Sequence, residues 1–180
     1  MWSLIFFSIF LIGLTIFLIF FVVQFYNIFF RGFAPFVATK KKIIKQIIGE
    51  FEVKKETKVY ELGCGRAGFL RAVRERYPEV ELIGIEYAFF PYLIGQIQNA
   101  FTKSHLKIIK NNFFKVDLSE ADVIYCYLNG KMMKDLEGKF KKECKKGTMI
   151  ISYTFPLHKM HPAKVMSVEN SSDKVYFYKT

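Results

Sequence analysis

The sequence predicts an α/β fold: a seven-stranded, mostly parallel sheet with an antiparallel C-terminal strand, preceded by one N-terminal transmembrane helix. Three observations support this prediction. Residues 1–30 contain no Lys, Arg, Asp or Glu, and short apolar runs alternate with amphipathic ones from residue 39 onward. The last two apolar runs also lie too close together for a crossover helix between them.

Residues 1–30 predict an uncleaved membrane anchor. Their polar interruptions are only Ser3, Ser8, Thr15, Gln24 and Asn27, and about 20 apolar residues suffice to span a bilayer. A signal peptide would show a basic n-region, a shorter apolar core and a small-residue cleavage site, which this segment lacks. A buried core helix is disfavoured because the segment is apolar on all faces.

Basic residues follow this predicted anchor: Arg31, Lys40, Lys41, Lys42 and Lys45. Because positively charged flanks are retained in the cytoplasm, residues 31–180 are expected on the cytoplasmic side. We expect a linker loop over 31–38 and one folded domain over 39–180.

The composition narrows the classes of partner. The net charge of +11 suits anionic lipid or nucleic acid, but no nucleic-acid recognition motif accompanies it, which favours lipid. The 21 Phe and 10 Tyr exclude a disordered chain. Three cysteines, Cys64, Cys126 and Cys144, make no disulfide framework and indicate a reducing compartment.

The domain begins with a predicted helix, for which Thr39 is the expected N-cap. Further amphipathic runs predict helices at 67–77, 92–103 and 131–144, and apolar runs predict strands at 57–62, 80–86, 106–110, 122–128, 148–154, 163–168 and 174–178. Strands that alternate with helices indicate a parallel, Rossmann-like sheet. The last two predicted strands must pair as an antiparallel hairpin, because only a short connection joins them.

Ligands of such sheets bind beyond the carboxyl ends of the strands, and the first predicted strand ends in the segment ELGCGRAG at 61–68. Its glycines let the backbone turn tightly and approach a ligand, and the next helix offers free N–H groups. The segment also matches the dinucleotide pattern G-x-G-x-x-G. However, Glu61 would place a carboxylate where a pyrophosphate should sit, and it suits a ligand with an ammonium group instead.

Two further strand ends carry candidate ligand-binding side chains. Glu86 ends the second predicted strand, where a carboxylate can accept hydrogen bonds from both ribose hydroxyls. Tyr87 follows it directly. After the third strand come Asn111, Asn112 and Phe113, and adjacent asparagines can equally form a turn.

The pattern E-x-G-x-G at 61–65 resembles motif I of the seven-strand methyltransferases. This resemblance implies S-adenosylmethionine as cofactor, with Glu61 on its methionine part and Gly63, Cys64 and Gly65 passing beneath it. It also implies that Asn112 reads the adenine amino group and that Phe113 packs against the ring.

A more specific resemblance runs from about residue 34 to 165. It rests on APFVAT at 34–39, KVDLS at 115–119, ADV at 121–123, YL at 127–128, MMKDLE at 132–137, IS at 151–152 and FP at 155–156. The chain is similar to the membrane-anchored protein-lysine methyltransferases that modify the ATP synthase c-subunit and the adenine nucleotide translocase, together with their prokaryotic relatives. The sequence departs from that family at Ala38, Arg66 and Ala67, among other positions.

The family resemblance implies a lysine of a membrane protein as methyl acceptor. It further implies that residues 35–39, including Thr39, close over the methionine end of the cofactor. Tyr127 and Asn129 would hold the acceptor nitrogen where the fourth strand ends.

Other functions and sites stay open or are disfavoured. A membrane-surface methyltransferase for a lipid or quinone fits the same pattern, as does a nucleotide-binding module without turnover. An NAD-dependent oxidoreductase is disfavoured by Glu61. No metal site is predicted, because His158 and His161 lie near no cluster of cysteines or carboxylates.

Overall fold

The computed structural model describes residues 2–29, 38–169 and 171–180. The chain divides into two compact units, one up to residue 35 and one from residue 36. The first contains helix α1 (Trp2–Phe29), whose section Trp2–Val23 is apolar and long enough to cross a membrane, a property that membrane spans share with signal sequences. Of the predicted linker over 31–38, all but Ala38 lies outside the described residues.

The described part of the second unit forms one seven-stranded sheet in the order β3-β2-β1-β4-β5-β7-β6. Its strands are β1 (Lys58–Leu62), β2 (Glu81–Glu86), β3 (Lys107–Lys110), β4 (Val123–Cys126), β5 (Met149–Tyr153), β6 (Lys164–Ser167) and β7 (Lys174–Lys179). Strands β1 to β5 are parallel, and β7 runs antiparallel to both β5 and β6. The predicted fold class is therefore confirmed, including the antiparallel pairing of the last two strands.

Four helices accompany the described strands: α2 (Lys41–Gly49), α3 (Gly68–Arg76), α4 (Phe89–Thr102) and α5 (Gly130–Glu143), with a 3₁₀ turn at Phe113–Lys115. The central strands β1 and β4 are buried almost throughout, as expected for parallel strands covered on both faces. The main core joins isoleucines of α2 to Phe69, Leu70 and Val73 of α3. It also includes Tyr125 of β4, whose ring stacks on Phe69 at a centroid distance of 4.1 Å.

The start of α2 differs from the prediction. Its N-cap is Lys40, without a capping side-chain hydrogen bond, so the assignment of Thr39 as N-cap is wrong. The hydroxyl of Thr39 instead lies 2.7 Å from the hydroxyl of Tyr125. The Tyr125 side chain is fully buried, and a buried phenol without a partner would cost about 1–3 kcal/mol. That cost is at least comparable to the roughly 0.5–2 kcal/mol that a capping side chain contributes.

A matched pair of glycine substitutions tests how tightly β2 packs beneath the β1–α3 connection. In Gly84→Ala the new Cβ would lie 2.7 Å from Cys64 Sγ and 3.2 Å from Leu70 Cδ1, so we expect the free energy of unfolding to fall by about 1–3 kcal/mol. In Gly138→Ala, within α5, no atom lies within 4 Å of the new Cβ, and we expect a gain of about 0.5–1 kcal/mol. Urea unfolding of the full chain in detergent measures both. A Gly84→Ala protein as stable as the wild type would contradict this packing.

Candidate active site

The carboxyl ends of four adjacent strands form one edge of the sheet. Leu62 of β1 pairs with Ile85 of β2 and with Cys126 of β4, and Glu86 of β2 pairs with Lys110 of β3. Because these strands end at the same level, the segments that follow them lie along a single edge. All three strand ends singled out from the sequence are therefore neighbours.

The β1–α3 connection turns sharply at two glycines. Gly63 and Gly65 have φ values of +70° and +52°, a left-handed conformation that costs glycine little. The amides of Gly63 and Cys64 both donate to the carbonyl oxygen of Ile85, at 2.8 and 3.0 Å. A Cβ at Gly63 would lie 2.9 Å from a methyl group of Leu128, so glycine is required there for both conformation and space.

Glu61 lies beneath the N-terminus of α3 and is only 7% exposed. Its Oε2 accepts a hydrogen bond from the Leu70 amide at 3.3 Å. Burial raises the pKa of its carboxyl group to about 8, although the Leu70 amide and the positive charge of Arg71 oppose that rise. Glu61 forms no salt bridge with a described residue. A cation beside Glu61 would relieve the cost of its burial.

Glu86 joins the first two strand ends. Its Oε2 accepts from the Gly65 amide at 2.8 Å, and its Oε1 accepts from the Ala88 amide at 2.7 Å. The side chain is 8% exposed, and burial raises its pKa against the effect of these amides. The predicted position at the end of β2 is observed, but the sequence did not reveal that Glu86 holds the glycine connection in place. Tyr87, which follows it, is exposed.

The segment after β3 forms the turn that the sequence offered as an alternative. Asn111 Oδ1 accepts from the Asn112 amide at 2.8 Å, and Asn112 Oδ1 accepts from the Phe114 amide at 3.0 Å. Phe113 begins the 3₁₀ turn and is buried, with its ring centroid 4.8 Å from that of Phe114. The side chains of both asparagines therefore stabilise the turn that follows β3.

On the other side of β1, the ends of β4 and β5 bring two tyrosines together. The ring centroids of Tyr127 and Tyr153 are 4.5 Å apart, and the Tyr153 hydroxyl donates to Asp173 Oδ2 at 3.1 Å. Asn129 caps α5, because its Oδ1 accepts from the Met132 amide at 2.9 Å. An asparagine just before a predicted helix is a capping signal that was available in the sequence. The Tyr153–Asp173 contact had no such signal, since Asp173 lies just before β7.

Two other chemistries have little support at this edge. Cys64 is buried, and burial raises the pKa of its thiol, so it stays protonated and is a poor nucleophile. Within residues 2–29, 38–169 and 171–180, no group of three or more His, Cys, Asp or Glu side chains could hold a metal ion.

The sequence that forms this edge is similar to known proteins. The family model described as "ANTKMT methyltransferase domain" matches residues 61–164, from the end of β1 to the start of β6. The chain belongs to this family. A protein-lysine N-methyltransferase of Saccharolobus islandicus (strain REY15A) is 29% identical to the chain over 148 residues, which cover 80% of this chain and 92% of that protein.

Solved structures share the fold of this ANTKMT methyltransferase domain. An RNA methyltransferase from Salinibacter ruber, in complex with S-adenosyl-L-homocysteine, superposes with a TM-score of 0.74 at 20% identity and covers 79% of this chain and 93% of its own. Precorrin-6y C5,15-methyltransferase from Geobacter metallireducens superposes with a TM-score of 0.67 at 12% identity, and the match covers 82% of this chain and 91% of that one. At these identities the likeness shows the fold alone.

The family match confirms that the chain is an S-adenosylmethionine-dependent methyltransferase. The strand edge of the ANTKMT domain fits that cofactor, which carries a positive sulfonium and an ammonium group. Two buried acidic residues, Glu61 and Glu86, flank a connection that turns at Gly63 and Gly65. Burial raises the pKa of both carboxyl groups, so a positively charged ligand beside them would favour their ionised forms.

The pKa of Glu61 predicts how the stability of the cofactor-free ANTKMT protein depends on pH. Between the ordinary carboxyl pKa of about 4.3 and about 8, folded Glu61 keeps a proton that the unfolded chain has released. The free energy of unfolding should therefore fall as pH rises through this window, by up to roughly 1.4 kcal/mol per pH unit. Above about pH 8 the contribution of Glu61 to the free energy of unfolding no longer changes with pH.

Urea unfolding from pH 4.5 to 9 measures this dependence. The Glu61→Gln protein should lose most of the slope and keep a smaller part, because burial also raises the pKa of Glu86. Asp173 adds no fall in stability over this pH range, since the hydrogen bond from Ser171 lowers the pKa of its carboxyl group. An unchanged slope in Glu61→Gln would show that Glu61 is ionised in the folded protein.

Proposed function

We propose that this protein transfers methyl groups from S-adenosylmethionine to a lysine side chain of a membrane-associated protein. The observation that carries the proposal is the similarity to a protein-lysine N-methyltransferase, which extends over 92% of that relative. The apolar helix α1 supports the membrane part. An anchor at 1–30 and a linker at 31–38 would keep the domain at 39–180 beside the bilayer, on the cytoplasmic side by the charge of its flank.

In this proposal the cofactor is held along the edge formed by β1, β2 and β3. Glu61 faces the ammonium of the methionine part, and Glu86 accepts the ribose hydroxyls with the lone pairs that the Gly65 and Ala88 amides leave available. Asn112 and Phe113 border the adenine. The remaining proposed contacts with the cofactor come from Thr39, Gly63, Cys64, Gly65 and Tyr87. When bound, the cofactor supplies an electrophilic methyl group.

The acceptor is held where β4 ends. A lysine has an ordinary pKa near 10.4 and must lose its proton before the nitrogen attacks. The protein's contribution is therefore to orient and desolvate the amine. Tyr127 suits this role because its ring packs on Tyr153, which Asp173 in turn holds by a hydrogen bond. The backbone of Asn129 lies at the same strand end, and its side chain caps α5.

Removal of one hydroxyl tests the role of Tyr127. Tyr127→Phe keeps the ring that packs on Tyr153, so we expect an unchanged Kd for S-adenosylmethionine and a kcat lower by about tenfold, the effect of one lost hydrogen bond. Steady-state kinetics and calorimetry measure the two quantities. The control is Tyr176→Phe, which removes the hydroxyl of a half-buried tyrosine on β7 and should leave both unchanged. If Tyr127→Phe matches this control, Tyr127 has only a packing role.

The acceptor itself is identified by labelling. We expect membranes of the source cell, incubated with the full chain and methyl-labelled S-adenosylmethionine, to take up label in a protein band that yields methyl-lysine on hydrolysis. The Glu61→Ala protein is the control and should transfer no label, because it lacks the carboxylate proposed for the methionine end. Label in the lipid phase would contradict a lysine acceptor and indicate a lipid or quinone. Cofactor binding without any transfer would indicate a binding module.

A further inference from the structure

Helix α4 is amphipathic in the reverse of the usual sense. Its polar side chains face the domain: Gln96 donates to the carbonyl oxygen of Ile108 at 3.0 Å, and Asn99 exchanges two hydrogen bonds with the backbone of Leu106. Gln98 accepts from Arg71 of α3 at 3.0 Å. A surface helix normally buries its apolar face and exposes its polar one. Here the polar face docks the helix, and the apolar face is directed outward.

The outward face of α4 consists of large apolar side chains. Leu93, Ile94, Ile97 and Phe101 follow one another at helical spacing and are 39%, 42%, 47% and 85% exposed. Phe89, in the first turn, is also exposed. In the second unit, the described large apolar residues that are exposed number ten, and seven of them lie within 87–101. Soluble monomers rarely concentrate apolar surface in this way, and such patches mark sites of interaction.

Positive charge borders this face on the side of β3 and at the C-terminal end of α4. The stretch 87–116 contains four lysines and no Asp or Glu. Lys103 ends α4, and Lys107 and Lys110 lie on β3, the edge strand beside it. None of the three forms a salt bridge with a described residue. The ammonium of Lys110 lies 4.8 Å from the ring centroid of Phe89, so the charged rim adjoins the apolar face directly.

We propose that α4 is a second membrane contact, an interfacial helix that inserts its apolar face into an anionic bilayer while Lys103, Lys107 and Lys110 bind the headgroups. Helices with an apolar face and a basic rim lie about 5–10 Å deep at the boundary between headgroups and acyl chains. Charge complementarity favours an anionic partner, because the stretch has only positive charge, and the exposed apolar side chains of α4 favour a lipid surface among such partners. The inference rests on the proposed anchoring of the chain in a membrane, and it does not depend on methyl transfer.

The proposed contact has a consequence for the active site. Helix α4 begins three residues after Glu86, and its N-cap Ala88 donates its amide to that carboxylate. A bilayer contact through α4 would therefore hold the carboxyl end of β2 close to the headgroups. Acceptor lysines near the membrane surface would then be favoured over lysines of soluble domains.

Tryptophan fluorescence of the full chain in vesicles tests this proposal. Trp2 is the only tryptophan, so Trp2→Phe combined with Ile97→Trp carries a single reporter on α4. The vesicles contain phosphatidylcholine and phosphatidylglycerol with brominated acyl chains, which quench tryptophan within the bilayer. The matched control combines Trp2→Phe with Val165→Trp. Val165 is 45% exposed on β6, at the opposite edge of the sheet. The wild-type protein reports separately on insertion of α1 through Trp2.

We expect the Ile97→Trp reporter to be quenched several-fold more strongly than the Val165→Trp reporter, with emission shifted to the blue. Replacement of Lys103, Lys107 and Lys110 by glutamine, or omission of phosphatidylglycerol, should weaken the quenching. The Phe101→Trp reporter, at the most exposed position of the helix, should behave as Ile97→Trp does. Equal quenching at positions 97 and 165 while Trp2 is quenched would overturn the proposal. A blue shift at position 97 without quenching would also overturn it and assign the face to a protein partner or a second copy.

Discussion

At the carboxyl ends of β1 and β2 the protein buries two acidic side chains, Glu61 and Glu86, that form no salt bridge with a described residue. Burial of an ionisable group without a charged partner is costly. Glu61 avoids part of that cost by keeping its proton up to about pH 8, and backbone amides offset another part. The amides of Gly65, Leu70 and Ala88 donate to these two side chains. The hydrogen bonds that stabilise the carboxylates therefore also determine the path of the connection between β1 and α3.

The opposite half of the edge depends on contacts between segments far apart in the chain. Thr39, before α2, bonds to Tyr125 of β4, and Asp173, before β7, bonds to Tyr153 of β5. Both phenols are buried in the sheet and need a partner. These contacts bring the segment before the first domain helix and the segment before the last strand to the ends of β4 and β5. The proposed acceptor side is thus built by hydrogen bonds rather than by one motif.

The proposed membrane association would explain two apolar features of this methyltransferase together. Helix α1 is apolar enough to cross a bilayer, and α4 exposes an apolar face beside an edge strand rich in lysine. In water such a face would favour self-association, whereas at an anionic surface the apolar and basic groups act together. The proposed lysine acceptor and the proposed orientation of the domain share one premise, the proposed attachment of the enzyme to a membrane.

The sequence by itself determined the order of helices and strands, the parallel sheet with its antiparallel end, and the motif at 61–65. These features depend on hydrophobic periodicity and on residue types close together in the chain. It also placed Glu86 and Asn112 at strand ends, where the structure has them.

Only the tertiary structure decided what those side chains contact. Thr39 pairs with Tyr125 rather than capping α2, and Asn129 caps α5. Helix α4 directs its apolar face outward, which periodicity could not reveal, because the period of an amphipathic helix does not show which face meets the sheet. That choice depends on hydrogen bonds from Gln96 and Asn99 to the backbone of β3 and the segment before it. Such partners come together only when the chain has folded.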